Sequence, residues 1–206
     1  MQAMTMVYAC ATAGAALLLW NLRTIFFVLP DEAAQGQIYR LLFFHVPAWW
    51  TAFLAVGASA IASVGYLVTR RLRWDAIALA STEVAVVFLL TGLTLGSIWG
   101  RIIWGIWWTW DARLTSSLIC VLLYAGYLAL RTSIDEPHRR ALIASVFSLF
   151  AFSDVPIVWF SIRWWRTQHP QPMELSPEMH SVLLLNWLAI VLIAVSLLLL
   201  RFEQEQ

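Results

Sequence analysis

The chain has 206 residues, of which 61% are hydrophobic and only 12% charged, a composition typical of a membrane protein that crosses the bilayer several times. All thirteen basic residues are arginines and the formal net charge is +1, so no basic face for nucleic-acid binding is indicated. The two cysteines, Cys10 and Cys120, lie far apart in apolar segments. Their positions exclude a disulfide framework and the CxxC motifs of zinc, redox and cofactor-attachment sites.

Six apolar segments are long enough to cross about 30 Å of hydrocarbon as helices. They cover residues 7–29, 46–68, 76–98, 114–130, 141–160 and 182–200. We therefore predict an all-α polytopic membrane protein, a single domain over residues 1–206, with an external Trp-rich loop (residues 99–116) between helices 3 and 4. The first segment has no basic leader and no clear cleavage site, so we expect it to be retained. The segments leave no room for a nucleotide-binding domain, so any ATP-driven step needs a partner.

The distribution of arginine predicts the orientation. With six spans, both termini lie on the same side as loops 69–75 and 131–140, and that side holds seven arginines against five on the other. The positive-inside rule therefore favours cytoplasmic termini. The five outer arginines are Arg40, Arg101, Arg113, Arg163 and Arg166.

Nine of the thirteen tryptophans fall in three segments on the predicted outer side, residues 39–50, 99–115 and 163–170. An aromatic belt at the membrane surface would explain one or two tryptophans at each helix end. That interpretation suits Trp49, Trp50 and Trp99 as well as a binding role does.

The five tryptophans within residues 99–110 are more than a belt requires. If this loop is helical, Trp104, Trp107 and Trp108 stack at i, i+3 and i+4 and form one aromatic face along the membrane surface. Such a face buries a large area at little conformational cost, which suits a flat apolar ligand such as a haem or quinone ring.

Asp111 and Arg113 end this loop. Asp111 is well placed to be the N-cap of the next helix. Arg113 is either an interfacial anchor or one of four arginines suited to pairing with ligand carboxylates. The four are Arg101, Arg113, Arg163 and Arg166.

Two histidines, His45 and His169, flank the loop if the three outer segments converge. A single interfacial histidine is more often structural, but two imidazoles can hold a haem ring from opposite faces as axial ligands of iron. His180 is also external and is a rival ligand, whereas His138 is expected in an ordinary cytoplasmic loop.

Two acids lie inside predicted spans, where burying a charge is costly. They are Glu83 and Asp154, the latter followed by Pro156, which is expected to kink its helix. No basic residue matches either acid at the same depth in the predicted spans. We therefore expect interhelical hydrogen-bond partners or subunit contacts, and not a proton pump.

The segment 104–116, with the sequence WGIWWTWDARLTS, is similar to the tryptophan-rich "WWD" signature of haem-handling proteins in cytochrome c biogenesis. The six spans and two flanking segments resemble the CcmC family. Tyr39-Arg40 with residues 44–48 (FHVPA) is similar to that family's first external histidine segment, and residues 164–169 (WWRTQH) to its third-loop histidine segment. The likeness covers about residues 31–169.

The resemblance implies a non-enzymatic, haem-binding subunit of the bacterial inner membrane, with His45 and His169 as the axial iron ligands. It implies that the WWD loop holds non-covalent haem and presents it to a periplasmic CcmE-type chaperone. It also implies work beside the ABC-transporter subunits CcmA and CcmB and a small CcmD subunit. The loop residues it assigns to haem binding are Trp104, Trp107, Trp108, Trp110, Asp111 and Arg113.

Three alternatives remain. A CcsA-type or CcmF-type haem synthase component would be larger, with histidines inside the membrane. A quinone-dependent or haem-b-dependent electron-transfer subunit would have paired histidines at bilayer depth on facing helices. A purely structural scaffold would leave the tryptophan loop unexplained.

Overall fold

The computed structural model describes residues 2–169 and 174–205, and within these ranges the chain forms helices and no strand. A 3-10 helix, Gln37–Leu41, precedes α2. The seven α-helices are α1 (Gln2–Phe27), α2 (Leu42–Thr69), α3 (Leu72–Trp104), α4 (Ala112–Thr132), α5 (Pro137–Phe152), α6 (Asp154–Trp164) and α7 (Pro177–Glu205).

Six helical segments of the described chain are long and apolar enough to span a membrane, as predicted. The predicted fifth span is two helices, α5 and α6, which follow one another as one spanning segment. The break falls at Ser153, because Pro156 has no N–H to donate to the carbonyl of Phe152 one turn earlier. The Ser153 hydroxyl donates to the Phe150 carbonyl at 2.7 Å and closes the end of α5.

Helices α2 and α3 form the most extensive contact of the bundle. Helix α1 packs on α7, and α4 packs on α3, α5 and α6. Helix α3 has 33 residues and is therefore about 50 Å long, well beyond the roughly 30 Å of bilayer hydrocarbon. Its last turns, together with the starts of α2 and α4 and the end of α6, form what we call the cavity end of the bundle.

Ion pairs tie α3 to two other helices. Two guanidinium nitrogens of Arg131 on α4 donate to the two carboxylate oxygens of Asp75, at 2.5 and 2.8 Å, and both side chains are about 8% exposed. Glu83 accepts from Arg201 on α7 at 2.5 Å. The expectation that Glu83 has no basic partner is therefore wrong, because the packing of α7 on α3 places Arg201 at the same depth in the bundle as Glu83. Its predicted interhelical role is present in the structure.

Asp154 at the start of α6 is 6% exposed, and its Oδ2 atom has no hydrogen-bond partner among the described residues, so the predicted interhelical hydrogen bond is not seen at this oxygen. His138 was predicted to lie in a loop, but it lies in the first turn of α5. The Tyr66 hydroxyl donates to its carbonyl at 2.9 Å. Both His138 and the Asp75–Arg131 pair lie at the end of the bundle opposite the cavity end.

Candidate functional site

A cavity of about 520 Å³ opens at the cavity end, between α2, α3, α4, α6 and the loops that follow α3 and α6. Its walls are mainly aromatic and aliphatic, which is typical of a ligand pocket. The predicted site residues that line it are His45, Trp104, Trp107, Trp108, Arg113 and His169. The structure therefore brings together residues from all three outer segments named from the sequence.

His45 lies in the first turns of α2, and its ring packs against α3. The Nδ1 atom is 2.9 Å from the carbonyl oxygen of Gly92. Because a carbonyl oxygen can only accept a hydrogen bond, Nδ1 carries the proton and Nε2 presents a lone pair. A neutral imidazole that donates through Nδ1 can bind a metal ion through Nε2.

Glycines on α3 provide the space for this ring. A Cβ at Gly96 would lie 2.8 Å from His45 Cε1, and one at Gly92 would lie 2.7 Å from the Trp49 indole nitrogen. Real Cβ atoms do not approach other atoms so closely, so a larger residue at position 96 would displace the His45 ring, and one at position 92 would displace the Trp49 ring. The edge of the Trp99 ring completes the contact, with its centroid 5.9 Å from that of His45.

Asp111 joins the WWD loop to the segment that carries His169. Its Oδ1 accepts from the Leu114 N–H at 2.9 Å, which confirms the predicted N-cap of α4. Its Oδ2 accepts from the Thr167 hydroxyl at 2.6 Å and the Gln168 N–H at 2.8 Å. The His169 N–H then donates to the Thr167 hydroxyl at 3.1 Å.

These bonds also set the ionisation of the Asp111 carboxyl. Partial burial acts to raise its pKa, but the hydrogen bonds from Leu114, Thr167 and Gln168 outweigh burial. Together with the nearby charge of His169, they hold the pKa of Asp111 below its ordinary value. The carboxylate therefore stays ionised, and keeps its full accepting capacity, across the neutral and mildly acidic range.

The predicted loop 99–116 is helical at both ends, in α3 and α4, and only residues 105–111 are not helical, so the predicted i, i+3, i+4 stack does not form. Helix α3 ends at Trp104 because Gly105 takes the left-handed conformation, φ +75°, and its N–H returns to the Arg101 carbonyl at 3.1 Å. Trp104, Trp107 and Trp108 nevertheless line the cavity. The chain bends around the cavity here and does not lie along the membrane surface as a helix.

Two of the predicted loop residues do not line the cavity. Trp110 is 76% exposed and its ring packs edge-on against Trp108, with centroids 5.7 Å apart. Asp111 is not in the cavity wall but caps α4 and accepts hydrogen bonds from Thr167 and Gln168. The indole N–H of Trp108 is buried and has no hydrogen-bond partner among the described residues. A buried donor of this kind is costly unless a ligand atom accepts from it.

The structure distinguishes the four candidate arginines. Arg113 and Arg163 line the cavity, whereas Arg101 and Arg166 do not. Arg113 also donates to the Val158 carbonyl of α6, and Arg101 donates to the Gly105 carbonyl, which closes the end of α3.

The fifth outer arginine, Arg40, has a structural role. It donates to the carbonyls of Ile25 at 2.7 Å and Leu29 at 3.0 Å, and pairs with Asp31 at 2.6 Å. These bonds satisfy carbonyls at the end of α1, where no helical N–H follows.

Several cavity residues were not assigned to the site from the sequence. Trp49, Trp50 and Trp99 line the cavity and are therefore more than belt residues. Gln35 also lines it and accepts from the Trp99 indole N–H at 2.8 Å. Trp159 reaches it from α6. The sequence offered no local signal for Gln35, because its partner lies 64 residues away.

His180 does not line the cavity; it is exposed in the first turns of α7. Pro170, the last residue of the third predicted segment, lies outside the described residues.

The fold and the site define a polytopic membrane protein with an aromatic cavity at one end of its helix bundle. The chain belongs to the heme exporter protein C (CcmC) family, whose family model matches residues 1–206. The predicted family is thus confirmed.

Curated relatives agree with this assignment. The chain is 42% identical over 140 residues to the heme exporter protein C of Bradyrhizobium diazoefficiens, covering 68% of this chain and 53% of that protein. It is 37% identical over 149 residues to a putative cytochrome c biosynthesis ccmC-like mitochondrial protein of Marchantia polymorpha, covering 72% and 62%. It is 32% identical over 179 residues to the heme exporter protein C of Escherichia coli K12, covering 84% and 73%. The chain thus spans less than two thirds of the first two relatives.

Proposed function

We propose that the chain binds haem in the cavity and presents it at the periplasmic face of the bacterial inner membrane during cytochrome c maturation. His45 and His169 are the axial ligands of the iron in this proposal. The observation that carries it is that these two histidines, far apart in the chain, line one aromatic cavity. The arginine distribution supports cytoplasmic termini, and hence an outward cavity end.

The residues present fit haem. The cavity volume of about 520 Å³ falls within the roughly 300–1,000 Å³ of small-ligand sites. Haem is a flat apolar ring that carries an iron able to accept two nitrogen ligands and carboxylates at one edge. The His45 tautomer leaves Nε2 able to bind a metal, and Arg113 and Arg163 are the cavity's guanidinium groups.

The loop residues divide into two roles. Trp104, Trp107 and Trp108, which line the cavity, would contact the ring, and the buried Trp108 N–H would donate to a polar ligand atom. Trp110 and Asp111 act indirectly, since Trp110 packs on Trp108 and Asp111 holds the His169 segment.

Presentation to a partner uses the exposed side of the loop. Trp107 is 60% exposed while also lining the cavity, so a protein that docks there reaches the ligand directly. We propose that this partner is a CcmE-type periplasmic haem chaperone. The CcmA and CcmB transporter subunits would supply ATP hydrolysis to release the loaded chaperone, beside a CcmD-type subunit. The chain itself would hold and transfer haem without catalysing a reaction.

The positions of the histidines argue against an electron-transfer subunit. His45, His138 and His180 lie in the first turns of α2, α5 and α7, and His169 follows α6. None of these four histidines, all of which are among the described residues, lies in the middle of a helix, where a transmembrane electron-transfer haem would need its ligands.

The proposal is tested by purifying the chain in detergent from haem-replete cells and recording its absorbance spectrum. We expect a low-spin haem spectrum that is lost or converted to high spin in His45→Ala and in His169→Ala. His180→Ala is the matched control, because His180 is external but does not line the cavity. A colourless wild-type preparation contradicts haem binding, and an unchanged spectrum in both ligand variants contradicts the ligand assignment.

Presentation is tested separately with the double variant Trp107→Ala and Trp108→Ala. We expect haem transfer to a CcmE-type chaperone to fall much more than the amount of protein inserted in the membrane. If instead the variant fails to accumulate, these tryptophans serve as membrane anchors, and the presentation role is contradicted.

A further inference from the structure

A proline lies two residues after His45 inside helix α2. Pro47 has no N–H, so it cannot donate to the carbonyl of Phe43, the acceptor one turn earlier. Phe43 is fully buried, and water therefore cannot easily replace the missing donor. The turn of α2 that carries His45 thus contains a carbonyl that needs a partner from elsewhere in the fold.

Asn186 of α7 supplies this partner. Its Nδ2 donates to the Phe43 carbonyl at 2.5 Å, and Asn186 is fully buried within a membrane-spanning helix. A buried amide inside a span is costly and generally marks a specific contact. Here that contact replaces the helical hydrogen bond that Pro47 removes.

The neighbouring residue strengthens the contact between α7 and α2. The rings of Trp187 and Trp50 meet edge-to-face with centroids 5.3 Å apart. Trp50 lines the cavity, one turn beyond Pro47. Two consecutive residues of α7 therefore hold α2 on both sides of Pro47.

His45 is thus held from two directions. Its ring bonds to the Gly92 carbonyl of α3, and its backbone turn is held through Phe43 by Asn186 of α7. We propose that Asn186 is a positioning residue for His45: it satisfies the carbonyl freed by Pro47 and so sets where the imidazole enters the cavity. This inference rests on the proposed role of His45 as a haem ligand.

The test combines Asn186→Leu with Pro47→Ala. Leucine has a similar size to asparagine but cannot donate, so the Phe43 carbonyl loses its partner. Alanine at position 47 restores the helical N–H, so the carbonyl is satisfied within α2. We expect Asn186→Leu to lower haem affinity about tenfold and to shift the spectrum towards that of His45→Ala. The double variant Pro47→Ala with Asn186→Leu should recover the wild-type spectrum.

Ser196→Ala is the matched control, because Ser196 is a buried polar residue of α7 that bonds within its own helix. It should leave the spectrum unchanged. An unchanged spectrum in Asn186→Leu, or a double variant that is not restored, overturns the positioning role and leaves Asn186 as a packing residue. If Asn186→Leu does not accumulate, the double variant decides: accumulation with the wild-type spectrum supports the role, and any other result overturns it.

The two proposals fail in different ways. A wild-type protein without haem, or a His45→Ala variant with an unchanged spectrum, contradicts the ligand assignment. If the wild type binds haem, His45→Ala changes the haem spectrum and Asn186→Leu leaves it unchanged, only the positioning role is contradicted.

Discussion

The Asp111 carboxylate accepts a 2.6 Å hydrogen bond from the Thr167 hydroxyl and thereby joins the loop after α3 to the segment after α6. The same Oδ2 atom accepts from the Gln168 N–H, and the other oxygen caps α4. One side chain therefore fixes a helix start and the backbone next to His169. Loss of the Asp111 side chain should therefore disturb the His169 side of the cavity more than the His45 side.

Asp111→Ala removes both the cap of α4 and the hydrogen bonds to residues 167 and 168. We expect the protein to lose about 1–3 kcal/mol of stability, from the lost cap and the unpaired donors. The haem spectrum should resemble that of His169→Ala and not that of His45→Ala. Absorbance spectra and detergent melting of the three variants measure both effects. An Asp111→Ala spectrum that matches His45→Ala contradicts this division of the site.

The lowered pKa of Asp111 predicts the pH dependence of the same contact. A group whose pKa is lower in the folded than in the unfolded state contributes stability above its unfolded pKa, about 3.9, and loses it as pH falls through the folded value. The His169 segment should therefore stay in place as the pH falls to the unfolded-state pKa of Asp111 and be released only as the pH falls through the lower folded-state pKa. Stability measured against pH for the wild type and for Asp111→Asn tests this. Parallel profiles in the two proteins would show that Asp111 is not the titrating group.

Gly96→Ala should displace the His45 ring, because the new Cβ would lie 2.8 Å from its Cε1 atom. We expect a cost of about 1–3 kcal/mol and a haem spectrum that shifts towards that of His45→Ala. Gly57→Ala in α2 is the control, because its nearest neighbour would be 3.9 Å away, at ordinary contact distance. Equal effects of the two substitutions would mean that helix packing in general, and not the His45 ring, is responsible.

Arg131→Ala should destabilise the bundle without changing the site. It leaves the buried Asp75 carboxylate unpaired, which costs about 3–5 kcal/mol. The pair lies at the opposite end from the cavity, so the haem spectrum of the protein that remains folded should match the wild type. Thermal melting in detergent and absorbance measure the two effects. A changed spectrum would show that the two ends of the bundle are coupled.

Part of the site could be predicted from local sequence. Asp111 as an N-cap follows from an acid immediately before an apolar helix. The end of α3 could also have been placed, since Gly105 is a typical residue after a helix C-terminus. The conditional helix through Trp107 and Trp108 does not form, because Gly105 ends α3 in the left-handed conformation.

Other parts of the site had no local signal. Asn186 is one polar residue in an apolar span, and its role depends on α7 lying beside Phe43. Outside the site, the pairing of Glu83 with Arg201 likewise depends on α7 packing on α3. Arg113 and Arg163 could not be separated from Arg101 and Arg166 because all four lie in outer segments.

By itself, the sequence determined the membrane class, the six spans and the family, because hydropathy and the WWD motif depend only on neighbouring residues. It also named both histidines and three of the tryptophans that line the cavity, Trp104, Trp107 and Trp108. Only the tertiary structure decided which hydrogen bonds hold these residues. The Gly92 carbonyl accepts from the His45 ring, and Asp111 accepts from the segment that carries His169. Asn186 donates to the Phe43 carbonyl that Pro47 leaves without a helical partner. Each of these contacts joins residues distant in the chain, and such a hydrogen bond depends on how the helices pack.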